Sequence, residues 1–223
     1  MIRLRRMVAA GLALCIAIAC GPHEAIAGED MAGYFASYYR QQVVGQTYRG
    51  PLQFLQDAAA AHKAADEVLR PATSRAVLID GANGYLRIDD SADTDQVLTV
   101  AVYRRADGGR LLVVNSSNCA DACDLSVEFF APGPGRLNPV KSDAVLPRIA
   151  PQQFIKPGHR MPDRLKSLVP SIDYLPARQG TTLTLKPWYG YEAEEQMSKT
   201  ERNAIRSIVL DWDRDRGRFV MRP

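Results

Sequence analysis

The sequence predicts an α+β fold in which N-terminal helices pack on a mainly antiparallel β-sheet or sandwich. Three observations carry that reading. Apolar and aromatic residues recur at helical spacing within residues 28–72. From residue 73 onward, short alternating or apolar runs follow one another, each closed by glycine, proline or asparagine. Residues 1–27 read as an export signal, which leaves 196 residues for one folding unit. A chain of that size buries about 70% of its unfolded surface and needs no metal to hold a core.

The signal has its parts in working order. Arg3, Arg5 and Arg6 precede an uncharged apolar run of 14 residues, 7–20. A bilayer span needs roughly 20. Gly21-Pro22 breaks the run, and Ala25-Ile26-Ala27 places small residues where a signal peptidase reads them. Cleavage after Ala27 is the expectation, with no transmembrane span after processing and a periplasmic or secreted product. The alternative is a lipoprotein anchored through Cys20, which follows Ala17-Ile18-Ala19.

In residues 29–43 the aromatics Tyr34, Phe35, Tyr38 and Tyr39 recur at i, i+1, i+4 and i+5, one stripe of a helix. The stripe reads as core packing, with a ligand platform or lipid contact as the alternative. A second helix is expected from Pro51, where a missing N–H costs nothing. Leu52, Leu55, Ala59, His62, Ala65 and Leu69 follow one face of it, and Pro71 ends it. His62 on that apolar face reads as a buried histidine.

The β-rich region, 73–223, begins with strands over 75–80 and 85–89 around the turn Gly81-Ala82-Asn83-Gly84. Residues 96–105 form a longer strand with two apolar faces: Val97, Thr99, Ala101 and Tyr103 against Leu98, Val100 and Val102. That pattern predicts a central strand covered on both sides. Further strands are expected over 110–115, 125–131, 181–186, 205–211 and 218–221. Three turns share an aromatic, a polar turn, a glycine, an arginine and an apolar residue, ending at Leu111, Leu137 and Phe219. Blade-like repeats produce such a pattern, but so do ordinary hairpins, and uneven spacing favours hairpins. Residues 150–180 are punctuated by five prolines and read as irregular, with one short helical piece over 163–168.

Composition narrows the partners. The precursor carries a formal charge of +3; without the three arginines and one glutamate of residues 1–27 it falls to +1. A near-neutral chain gives no electrostatic case for nucleic acid. Lysine occurs only six times among 28 basic residues, and the arginines alternate with acids as surface residues do. Cys15 and Cys20 lie in the signal, which leaves Cys119 and Cys123, a disulfide in an exported protein.

The sequence lacks G-x-S-x-G, a phosphate-binding G-x-x-x-x-G-K, S-x-x-K and a Rossmann glycine pattern. After processing, His62 and His159 are the remaining histidines, and His159 sits in a Pro157-Gly158-His159-Arg160 loop. No catalytic residue, metal site or cofactor is therefore nominated. Weak calcium candidates are Asp89, Asp90, Asp93 and Asp95 in one inter-strand loop; Asp211, Asp213 and Asp215 alternate in a second cluster interleaved with arginine. A charged turn is the plainer reading of both. Glu195 and Lys199 stand at i,i+4 in a polar stretch. The segment Lys186-Pro187-Trp188-Tyr189-Gly190-Tyr191 sets three aromatics beside turn residues, just past a strand. Trp188, Tyr189 and Tyr191 are thus the expected contact residues for a protein or glycan partner, with a Trp188 plug at the end of the sheet as the alternative. The functional expectation is an exported, non-catalytic binding or envelope-associated protein. The alternative is a periplasmic hydrolase with dispersed catalytic residues.

Overall fold

Period-two alternation sends successive strand side chains to opposite faces, and the larger of two sheets is apolar on both. The computed structural model describes residues 30–42, 68–69, 76–90, 96–119 and 123–222. Seven antiparallel strands meander in chain order: β1 (Val68–Leu69), β2 (Ala76–Asp80), β3 (Tyr85–Asp90), β4 (Gln96–Arg104), β5 (Arg110–Asn118), β6 (Asp124–Gly133) and β7 (Arg136–Val140). A second antiparallel sheet holds β8 (Ser171–Pro176), β9 (Thr182–Trp188), β10 (Ile208–Asp213) and β11 (Arg218–Met221), in the order β11-β10-β9-β8.

The layers follow from which side chains share a face. Tyr85, Ala101, Tyr103, Leu111, Val113 and Phe129 of the larger sheet meet Leu183, Leu185, Ile208, Leu210, Trp212 and Phe219 of the smaller one. On the opposite face Leu86, Val100, Leu112, Val114 and Phe130 meet Met31 and Phe35 of α1 (Met31–Gln42). The order is helix, sheet, sheet, with two apolar interfaces. Each fully buried leucine or phenylalanine contributes roughly 1.5–3 kcal/mol over its exposed state. β4 runs through the middle, covered on both sides, as its two apolar faces predict.

Polar ties lock the interface between the sheets. The Tyr103 hydroxyl donates to the Thr182 carbonyl at 2.9 Å, and the Trp212 indole N–H donates to the Arg104 carbonyl at 2.8 Å. Asn115, fully buried, donates to Asp173 at 3.0 Å and accepts from the Tyr174 backbone N–H at 3.3 Å.

The α1 stripe packs on the core. Phe35 is buried, the Tyr38 ring meets Phe130 edge-on at 5.7 Å, and the Tyr38 hydroxyl donates to Glu128 at 2.6 Å. The three similar turns are hairpins: β4–β5, β6–β7 and β10–β11. Their positive φ falls on Gly108, Gly135 and Gly217. In the first hairpin the left-handed position is thus Gly108 and not Gly109.

Several expectations need correction. Of the N-terminal helices, the described residues contain α1; most of the second lies outside them, as do the signal and His62. Its expected end, Val68–Leu69, is strand β1 paired with Leu78 and Val77. A β-branched residue beside the open edge of β2 gains ladder hydrogen bonds there. Residues 136–140 form an edge strand that tolerates Pro139, and residues 171–176 form an edge strand ended by Pro176. The chain adds the short helices α2 (Ser142–Val145) between β7 and β8, and α3 (Tyr191–Gln196) and α4 (Lys199–Ala204) between β9 and β10. Glu195 and Lys199 therefore sit in separate helices and not as one i,i+4 pair. The short helical piece of the proline-rich stretch is a 3₁₀ turn, Asp163–Leu165.

Candidate functional site

β9 delivers the aromatic segment to one end of the smaller sheet. Pro187 and Trp188 close the strand, with Trp188 opposite Ser171 of β8. Gly190 then takes φ +94°, a conformation glycine adopts without a Cβ penalty. The chain turns there into α3, and the three rings part company.

Trp188 is half-buried, and its ring meets the Tyr191 ring edge-on at 5.0 Å. Tyr191 is 46% exposed. Its hydroxyl donates to the Cys119 carbonyl at 2.7 Å and lies 4.0 Å from the Cys123 sulfur. Cys119 and Cys123 are bonded to each other, with Cα atoms 4.0 Å apart. Two features that lie far apart in sequence, the aromatic segment and the cysteine loop between β5 and β6, are thereby joined. Tyr189 points the other way. It is 8% exposed and packs with Leu165 and Met197, so it belongs to a small core and not to the exposed edge. Burial, and then the charge of Glu194, raise its hydroxyl pKa, and the hydroxyl has no hydrogen-bond partner among the described residues.

The chain entering β8 adds to the exposed edge. Val169 is 87% exposed and Leu168 37%. Both lie just before Ser171, the cross-strand partner of Trp188, so they emerge at the same end of the sheet. Leu168 and Val169 thus lie at the same end of the smaller sheet as Trp188 and Tyr191, whose hydroxyl is held by the Cys119 carbonyl. Sequence reading missed Leu168 and Val169. The only signal was two apolar residues before Pro170 in a segment that looked irregular.

The other sequence-derived residues stand elsewhere. Asp89 ends its side chain against Arg87 at 3.0 Å, with one carboxylate oxygen unpartnered among the described residues. Asp90 closes β3; Asp93 and Asp95 lie outside the described residues. Among the described residues no group of three or more His, Cys, Asp or Glu gathers as metal ligands would. Asp211 binds Arg222 through both oxygens, at 2.7 and 3.1 Å, and this pairing lowers its pKa. Asp213 accepts from the backbone N–H groups of Asp215 and Arg216, which makes it a turn residue.

His159 is exposed and lines an open cleft of about 310 Å³ with Asp163, Thr200 and Glu201. Its ring lies 3.3 Å from the Pro157 carbonyl. Glu201 is engaged by the N–H of Ser198 in a capping box and by Arg164 at 3.1 Å. Asp163 pairs with Lys166 and Arg160. Both carboxylates already answer to other partners.

No protein-family model matches the chain, and no curated protein sequence matches it. The fold is similar to the solved structure of a domain of an uncharacterized protein from Porphyromonas gingivalis W83. The TM-score is 0.62 at 14% identity, over 88% of this chain and 99% of that one. At that identity the likeness speaks for the fold alone.

Proposed function

We propose that this chain is an exported, non-catalytic binding protein of the cell envelope that holds a protein or glycan partner at the Trp188–Tyr191 end of its smaller sheet. The observation that carries the reading is the exposure of Val169, Leu168 and Tyr191 together beside the half-buried Trp188. Grouped exposed apolar side chains mark interaction surfaces in soluble domains. A tyrosine and a tryptophan held edge-on offer broad contact area at low entropic cost. A disulfide beneath them suits an oxidising compartment, and the signal-like residues 1–27 agree with it. Among the described residues no helix is long and apolar enough to cross a membrane.

A photo-crosslinking residue at position 169 tests the reading in intact cells. A discrete adduct that the Tyr191→Ala substitution abolishes is expected. Absence of any adduct, or one indifferent to Tyr191, overturns the contact surface. Hydrolysis at the His159 cleft is the second reading, favoured by the nearness of Thr200, Asp163 and Glu201. Prior engagement of both carboxylates argues against it.

A further inference from the structure

A second cleft opens where the main core reaches the surface. It encloses about 590 Å³ and is bounded by β6, β8, β11 and the segment through α2. Its apolar side chains are Val127, Leu146, Ile149, Ile172 and Tyr174. All five pack against the inter-sheet core, yet none is fully covered. The cleft is thus the unclosed margin of that core. Its volume falls within the roughly 300–1,000 Å³ common for small-ligand sites.

The rim is cationic. Several arginines elsewhere meet carboxylates: Arg178 with Asp80, Arg222 with Asp211, Arg164 with Glu201 and Arg105 with Asp107. The side chains of Arg148 and Arg218, both on this rim, make no ion pair or hydrogen bond with a described residue. Asp143 shares the rim and leaves the three charges at a net +1, which favours a singly charged head over a polyanion. The Ser142 hydroxyl offers one further donor there. Burial raises the Tyr174 hydroxyl pKa, so that group stays protonated at neutral pH.

We propose that this cleft binds a free, single-chain amphiphile with an anionic head, a long-chain carboxylate. The chain lies on Val127, Leu146, Ile149 and Ile172, and the carboxylate takes the guanidinium groups of Arg148 and Arg218. Guanidinium forks match a carboxylate in shape and charge. Apolar lining alone accepts any alkyl chain; the two unpaired arginines select the head. The site shares no residue with the Trp188–Tyr191 end, so either reading stands or falls without the other.

The test is calorimetric titration of the full chain with laurate below its micelle concentration, alongside dodecanol and acetate. Laurate is expected to saturate at one equivalent, dodecanol to bind at least tenfold more weakly, and acetate not to bind. The double variant R148Q/R218Q is expected to lose at least tenfold in laurate affinity with an unchanged melting temperature. In methyl NMR of the wild-type chain, Ile149 and Ile172 should shift with laurate occupancy. No saturable laurate binding, equal affinity for laurate and dodecanol, or an indifferent R148Q/R218Q overturns the proposal. If that variant unfolds, the dodecanol comparison and the methyl shifts on the wild-type chain still decide.

Discussion

Arg178 donates a 2.8 Å hydrogen bond to the buried carboxylate of Asp80, a contact that reaches from the β8–β9 connection to the end of β2 and so ties the two sheets together. Asn83 adds donors from its backbone at 3.1 Å and its side chain at 2.9 Å. Burial by itself raises the Asp80 pKa, but the hydrogen bonds from Asn83 and Arg178 outweigh it and hold the group below its ordinary value. A carboxyl depressed in the folded state stabilises fully above its unfolded pKa, and loses that contribution as pH falls through the folded value.

Removing the arginine should therefore hurt at neutral pH and matter less in acid. Breaking a buried pair costs about 3–5 kcal/mol. Arg178 is 37% exposed, so solvent screens part of that, and Arg178→Ala should cost about 2 kcal/mol at pH 7. As the pH falls Asp80 takes up a proton more readily in the variant, which lacks the Arg178 donor, and the gap to wild type should narrow. Urea unfolding at pH 7 and pH 3 checks this. An equal gap at both would show that the charge pair is not the cause.

The cysteine pair closes a loop of sequence separation four. Chain-entropy bookkeeping gives so short a loop about 2 kcal/mol. Replacing Cys119 and Cys123 by Ser should thus lower stability by about that much while near-ultraviolet circular dichroism keeps its native form. Thiol labelling of denatured, non-reduced protein should find neither cysteine free; two reactive thiols would refute the pairing.

Helix α1 packs on one face of the larger sheet through a few side chains. Phe35 is 2% exposed and packs in one cluster with Leu86, Val100, Leu112 and Phe130. Phe35→Ala should cost about 3–5 kcal/mol. Tyr38→Phe removes the 2.6 Å bond to Glu128 and should cost about 1 kcal/mol. Chemical denaturation measures both. If Phe35→Ala changes stability by less than Tyr38→Phe does, the aromatic stripe is not what seats the helix.

Most of the antiparallel sheet was readable because turn chemistry and alternation agree within each hairpin. The 96–105 pattern even gave the central position of β4, since apolar residues on both faces of one strand demand two covering layers. The aromatic stripe likewise gave the seat of α1. What sequence hid is tertiary. Residues 68–69 look like a helix end until the free edge of β2 is there to pair with them. Proline normally argues against strands, yet β7 and β8 tolerate Pro139 and Pro176 because both are edges. At the candidate site, neighbouring aromatics in sequence gave no clue that Tyr189 turns inward while Tyr191 turns out. Nor did anything local connect Tyr191 with Cys119, 72 residues away.

That divergence makes the three aromatics a graded experiment. Tyr189 is buried with Leu165 and Met197, so Tyr189→Ala opens a cavity and should cost about 3–4 kcal/mol. Tyr189→Phe removes a hydroxyl that has no partner and should leave stability unchanged or slightly raised. Trp188 is half-buried against the Tyr191 ring, and Trp188→Ala should fall between, at about 2 kcal/mol. Tyr191→Ala loses one hydrogen bond to Cys119 and an exposed ring, and should cost about 1 kcal/mol or less. Partner capture should run in the opposite order. Tyr191→Ala and Val169→Asp abolish it with little change in melting, whereas Tyr189→Phe leaves it intact. Thermal melts and crosslinking on the same variants separate the two rankings. If capture instead tracks stability across the series, these rings hold the fold together and the contact surface lies elsewhere.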